Sequence, residues 1–172
     1  MIECEDLSRA GWSTALTDGR YQTGRLYWEF DISVLPSSPH SYCYSCVGAV
    51  QQGCDLGSKP GTNSWYVVIE YREDEVRYYS PCGGEVQSAY QQWSPHQVPH
   101  HLGLCLNCHD GSLTVLDRAN NQLIYKFIDL KFSAEVLIPA VGFCMVKSAS
   151  ARIITGESVD ITQLLSTMLN IG

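Results

Sequence analysis

A chain of 172 residues that is 45% hydrophobic and 17% charged is long enough for one domain with its own core, and this composition excludes a disordered segment. With 11 Lys and Arg against 18 Asp and Glu the net charge is −7, and no stretch gathers basic residues, which excludes nucleic acid as the expected partner. No apolar run approaches the roughly 18 residues needed to cross a bilayer, so no membrane insertion is expected.

The acidic start, MIECEDLSRAGW, lacks the basic, apolar, small-residue order of a secretory signal. The expected setting is therefore cytoplasmic, with the eight cysteines present as thiols buried like small apolar groups. Residues 1–23 carry little periodicity and predict a short lead-in with one strand at most. From Gly24 the pattern sharpens: Leu26, Trp28, Phe30, Ile32 and Val34 alternate with Tyr27, Glu29, Asp31 and Ser33, as in a strand with one buried face. Tyr42 to Val50 reads as the next strand, and Gln51 to Asn63, rich in glycine and proline, as a long surface loop. Ser64 to Tyr71 is a third strand, from which Glu75 to Ser80 folds back through Glu73-Asp74. Pro81 to Pro99 is loop-rich, with at most one short strand near Glu85 to Ala89.

In His101 to Phe127 the alternation of Leu102, Leu104 and Leu106 meets the turn dipeptide Asp110-Gly111 and resumes at Leu113 and Val115. A break at Asn120-Asn121 leads to Leu123, Tyr125 and Phe127, predicting a three-stranded meander. Val136 to Phe143 and Ala151 to Thr155 predict two last strands. Pro139, which cannot donate to a ladder, predicts an edge position or a bulge in the first of them. In the tail, Val159, Ile161, Leu164, Leu165, Met168 and Leu169 suit one side of a helix capped by Ser158 or Asp160. The sum is an all-β fold: an antiparallel two-sheet β-sandwich over residues 24–156 burying the Trp28 and Leu104 faces together, with Trp65 and Phe127 also in the core and a short C-terminal helix over 157–172. That helix has two places to pack, its own sandwich or a second copy, the latter giving self-association.

Cys43-x-x-Cys46 and Cys105-x-x-Cys108 have zinc-like spacing, but residues three apart on a strand point to opposite faces, roughly 10 Å apart. Cys105-x-x-Cys108-His109 also spells a haem-attachment pattern, without the export route or setting that chemistry needs. His96, His100, His101 and His109 read as loop residues near strand ends, and Glu70, Glu73, Asp74 and Glu75 as a solvated hairpin end lacking a calcium loop's alternating ligands. No metal, no cofactor and no catalytic residue is therefore expected.

The quoted blocks resemble those of a known family, the SPRY (B30.2) domain. Gly24-Arg25-Leu26-Tyr27-Trp28-Glu29-Phe30 is similar to its opening signature, Cys46-Val47-Gly48-Ala49-Val50 to its hydrophobic-Gly-hydrophobic strand, and Ser64-Trp65-Tyr66 to its Ser-Trp strand. The late block is similar through His101-Leu102-Gly103-Leu104-Cys105-Leu106, Asp110-Gly111-Ser112-Leu113, Leu116-Asp117, Tyr125-Lys126-Phe127 and Ile138-Pro139-Ala140. From Pro99 to Gly156 it most resembles the versions in midline-type tripartite-motif ubiquitin ligases and in fibronectin-type-III/SPRY proteins. The resemblance implies a bent, concanavalin-like sandwich whose loops bind a partner protein or short peptide, with any ligase activity outside this chain.

Aromatic and arginine side chains dominate binding hot spots. The expected partner-binding residues are Tyr66, Arg72, Arg77, Tyr78, Tyr79, Tyr90 and Trp93, with Asp55 and Lys59, and the expected contact surface is formed by residues 51–63 and 72–95 together. A carbohydrate-binding sandwich using the same aromatics is the alternative, followed by a Cys/His zinc protein.

Overall fold

The computed structural model describes residues 2–5, 12–17, 20–36, 42–53, 64–72, 75–80, 91–92, 100–119, 122–128, 130 and 136–155, with residues 2–5, 75, 91, 92, 122 and 155 described as backbone only. Twelve strands lie among these residues, and no helix does. In chain order they are β1 (Ile2–Glu5), β2 (Ser13–Leu16), β3 (Arg25–Pro36), β4 (Cys43–Gln51), β5 (Ser64–Tyr71), β6 (Glu75–Tyr79), β7 (Gln91–Gln92), β8 (His100–Asn107), β9 (Ser112–Asp117), β10 (Gln122–Phe127), β11 (Leu137–Cys144) and β12 (Val146–Thr155).

Every pairing is antiparallel, in two six-stranded sheets. The first runs β1-β12-β3-β8-β9-β10 and the second β2-β11-β4-β5-β6-β7. Alternation explains how they pack. On β3, Trp28, Phe30, Ile32 and Val34 face inward; Trp28 stands opposite Leu104 and Phe30 opposite Leu102 on β8. The second sheet answers with Val47, Ala49, Val67, Ile69, Tyr71, Val141 and Phe143. Trp28 and Leu104 are thus buried side by side on one sheet, so these two faces do not meet across the sandwich from opposite sheets. Phe127 is buried with them, while Trp65 is partly buried and packs against this core.

The meander β8-β9-β10 forms as its alternation predicts. Its first turn is held by Asp110, which accepts from Asn107 Nδ2 at 2.7 Å and from Ser112 Oγ at 2.6 Å, with Gly111 at φ 65°.

Three expectations are corrected. Residues 1–23 supply two strands: β1 extends the first sheet beside β12, and β2 extends the second beside β11. The last strand begins at Val146, since the single residue Met145, at φ 57°, carries the chain from one sheet to the other. Pro139 lies on an interior strand, paired with Ala49, but β2 stops beside it. Its carbonyl accepts from Thr17 N at 3.0 Å, and because N and C=O of one antiparallel residue point the same way, its missing N–H faces Thr17 just past the end of β2, and the full pairing with β4 keeps its donors. The expected C-terminal helix and the short strand at Glu85 to Ala89 lie outside the described residues.

Met145 also fixes which ends of the sheets meet. The end where β5 turns toward β6, here the hairpin end, gathers Pro36, Cys43, Tyr71, His100, Asp117, Cys144 and Val146.

Candidate interaction surface

The outer face of the second sheet is built from the residues that alternate with its core positions. Register lines up Cys144, Tyr44, Glu70 and Arg77 across β11, β4, β5 and β6, and beside them Gly142, Cys46, Val68 and Tyr79. Tyr42 and Arg72 follow one residue beyond the paired Cys43 and Tyr71, at the hairpin end.

Their side chains form one arrangement. Arg72 Nη2 donates to both oxygens of Glu70, at 3.1 Å each, and its guanidinium carbon stands 5.2 Å from the centre of the Tyr42 ring. The Tyr44 hydroxyl donates to Glu70 Oε1 at 3.4 Å. Burial, followed by the Glu70 carboxylate, pushes the pKa of both Tyr44 and Tyr79 up, so both hydroxyls keep their protons. Tyr42 is 49% exposed, Tyr79 37%, and the Arg72 side chain 31%. Toward the middle of the sheet this surface passes into a buried cluster of Cys46, Tyr66 and Val68, with Trp12 and Tyr44 packed against it.

The expected binding residues therefore separate. Arg72, Arg77 and Tyr79 share this face. Tyr66 shares it too but is only 4% exposed. Tyr78 points the other way, opposite Ile69 in the core, and is 2% exposed. Asp55, Lys59, Tyr90 and Trp93 lie outside the described residues. Within β5, Ser64 at one end and Arg72 just past the other are roughly 25 Å apart along eight extended residues, and residues 54–63, 73–74, 81–90 and 93–95 of the expected contact surface lie outside the described residues. Tyr42, Tyr44 and Glu70 were not singled out as binding residues from the sequence; their signal is parity, since they alternate with the core positions Cys43, Ile69 and Tyr71.

The outer face of the first sheet carries a polar cluster whose members bond one another. The Glu29 carboxylate accepts from the Tyr27 hydroxyl, from Arg118 Nε at 3.1 Å and is bonded to His101 Nε2 at 2.9 Å, while His101 Nδ1 lies 3.5 Å from Asp31. Burial alone would raise the Glu29 pKa, but these donors hold it below the ordinary value. Gly103 makes room for them, since a Cβ there would stand 2.9 Å from both Arg118 Cδ and the Tyr27 hydroxyl.

Cys43 faces the main core and Cys46 the outer cluster, so that pair points to opposite sides of the second sheet. Burial pushes the Cys43, Cys46 and Cys105 thiols up to about 12. Among the described residues no three His, Cys, Asp or Glu side chains are grouped to hold a metal, and no helix is long and apolar enough to cross a membrane.

No protein-family model matches this sequence, and no curated protein is significantly similar to it. Solved structures are. The TRIM65 PSpry domain superposes with a TM-score of 0.56 at 18% identity, over 83% of this chain and 68% of that one. The SPRY domain of human HERC1 gives 0.54 at 18% identity, over 87% and 86%. Stonustoxin gives 0.51 at 19% identity, over 82% of this chain and 22% of its own. The chain is thus an all-β sandwich with the SPRY fold, and a tripartite-motif domain stands among its structural neighbours.

Proposed function

We propose that this chain is a non-enzymatic protein-interaction module that takes a protein or short peptide on the outer face of its second sheet at the hairpin end. One observation carries the reading: Tyr42, Arg72 and Tyr79 share one solvent-facing patch, Tyr79 on β6 and the other two one residue beyond β4 and β5, and Arg72 is held by Glu70 and Tyr42 before any partner arrives. Aromatic and Arg side chains are the residue types that dominate interface energetics, and a side chain already held in place loses little freedom on binding. Tyr44 and Arg77 flank this centre. The finer role is the substrate-recognition domain of a cytoplasmic tripartite-motif ubiquitin ligase, a reading supported by the SPRY signatures and by the fold shared with the TRIM65 domain. Catalysis would then lie outside this chain.

The test is to select binders from a displayed random-peptide library and measure their affinity for wild-type protein, Arg72→Ala, Tyr79→Ala and Trp93→Ala. Loss confined to the first two variants supports the hairpin-end surface. Loss confined to Trp93→Ala moves the site to the 81–99 segment, and binding only on a glycan array moves the function to carbohydrate.

A further inference from the structure

At the hairpin end the space between the sheets is polar. Register places Ser45, Tyr71 and Tyr78 on the inner face of the second sheet, and His100 and Asp117 on the inner face of the first, opposite Ile32 and Leu102 respectively. Ser45 Oγ and the Tyr71 hydroxyl satisfy each other at 2.8 Å, and the His100 ring meets the Tyr71 ring edge-on with centroids 5.2 Å apart. Asp117 is 5% exposed, and its charge acts on both Tyr78 and His100.

Two atoms of this group have no hydrogen-bond partner although both are shut off from solvent: the Tyr78 hydroxyl and His100 Nε2. Buried polar groups are nearly always paired, because leaving one unpaired costs its full desolvation. The complementary guest must bond both a ring nitrogen and a phenol, within the field of a carboxylate. An anion would be repelled by Asp117, and the surrounding Cys43, Ile32 and Tyr71 leave a small neutral donor-acceptor as the fitting chemistry.

We infer that Tyr78, His100 and Asp117 form a built site for ordered water between the two sheets, tying β6 to β8 and β9. Such water belongs to the fold and is costly to remove. The site lies beneath the strands that carry Arg72 and Tyr79, and stands whether or not those residues bind a partner.

The test is the sign of a conservative change. Urea unfolding of Tyr78→Phe, His100→Phe and the double variant is followed at pH 8, where His100 is neutral. A hydrated site predicts that Tyr78→Phe raises the unfolding equilibrium constant roughly fivefold or more, and that the double variant loses less than the product of the single losses, since both residues bond one water network. A Tyr78→Phe protein as stable as wild type or more so, or effects that multiply, overturns the inference. A crystal structure of the wild type decides between water and a direct bond: density for water about 2.7–3.2 Å from the Tyr78 hydroxyl supports the site, and a direct Tyr78–Asp117 or Tyr78–His100 bond overturns it even if stability falls.

Discussion

Arg72 is held between Glu70, which takes two bonds of 3.1 Å from one of its nitrogens, and the ring of Tyr42, 5.2 Å away. The first contact reaches back two residues into the end of β5, and the second joins the residue after β5 to the residue before β4, neighbours through the pairing of Cys43 with Tyr71. Sheet register thus turns a charged side chain at a hairpin end into a fixed and exposed one.

This arrangement predicts an asymmetry at Arg72. Lysine keeps the charge but loses the planar fork and its stacking on an aromatic face. Arg72→Lys should weaken a library-selected peptide roughly thirtyfold or more, the scale of a binding hot spot. Stability, read by urea unfolding, should change by less than about 1 kcal/mol, as for other part-exposed ion pairs. Equal losses of both would assign Arg72 to the fold alone.

Gly48 predicts a purely structural effect. A Cβ there would stand 2.0 Å from the Trp65 carbonyl oxygen and 2.5 Å from Tyr66 Cα, and main chain cannot rotate aside. Gly48→Ala should lose about 3 kcal/mol or more by chemical denaturation, at the top of the overpacking range. A loss under 1 kcal/mol would mean that β4 and β5 do not approach this closely.

His100 predicts a pH dependence with a definite sign. Burial lowers its pKa below 6.5, and the charge of Asp117 offsets this only in part, so the unfolded chain binds a proton that the folded one resists. The stability from neutral His100 is therefore complete above pH 6.5 and is lost as pH falls from there through the lower folded value. Urea midpoints measured from pH 8 to 5 should fall for wild type and fall less steeply for His100→Phe. Parallel curves would remove His100 as the cause.

Trp28 is 2% exposed and central to the first sheet's inner face. Trp28→Ala should cost about 3–5 kcal/mol, the usual loss for a buried large aromatic, measured by denaturation in guanidinium.

Much of this architecture is legible in the residues because alternation at period two is strong in β3 and β8, β5 is a near-continuous apolar run, and the Asp110-Gly111 turn fixes the meander. β1 and β2 were not legible, since four-residue segments with few apolar positions take their register from the partners β12 and β11. The early half of β12 was not legible because its inward residues Val146 and the small Ala149 are set among Lys147, Ser148 and Ser150 without a regular alternation. Pro139 misled because its rule concerns a lost donor, and only the register shows that this donor side faces the end of β2 and not β4.

At the surface, residue type pointed to Arg72, Arg77 and Tyr79, but it ranked Tyr78 equally with its neighbour. Strand parity separates them: Tyr78 alternates with Val76 into the core and Tyr79 does not. The Glu29 bonds to His101 and Arg118 span 72 and 89 residues, and no local pattern announces contacts made only by pairing β3 with β8 and turning into β9.

The most direct measurement places a photo-crosslinking amino acid at Tyr79, on the outer face of the second sheet, and separately at Lys126, exposed on β10 of the first. Both proteins are irradiated with the same library-selected peptide. Covalent peptide adduct at position 79, abolished by excess unlabelled peptide, and none at 126 is the predicted result. Adduct at 126 with none at 79 would contradict the placement of the binding surface.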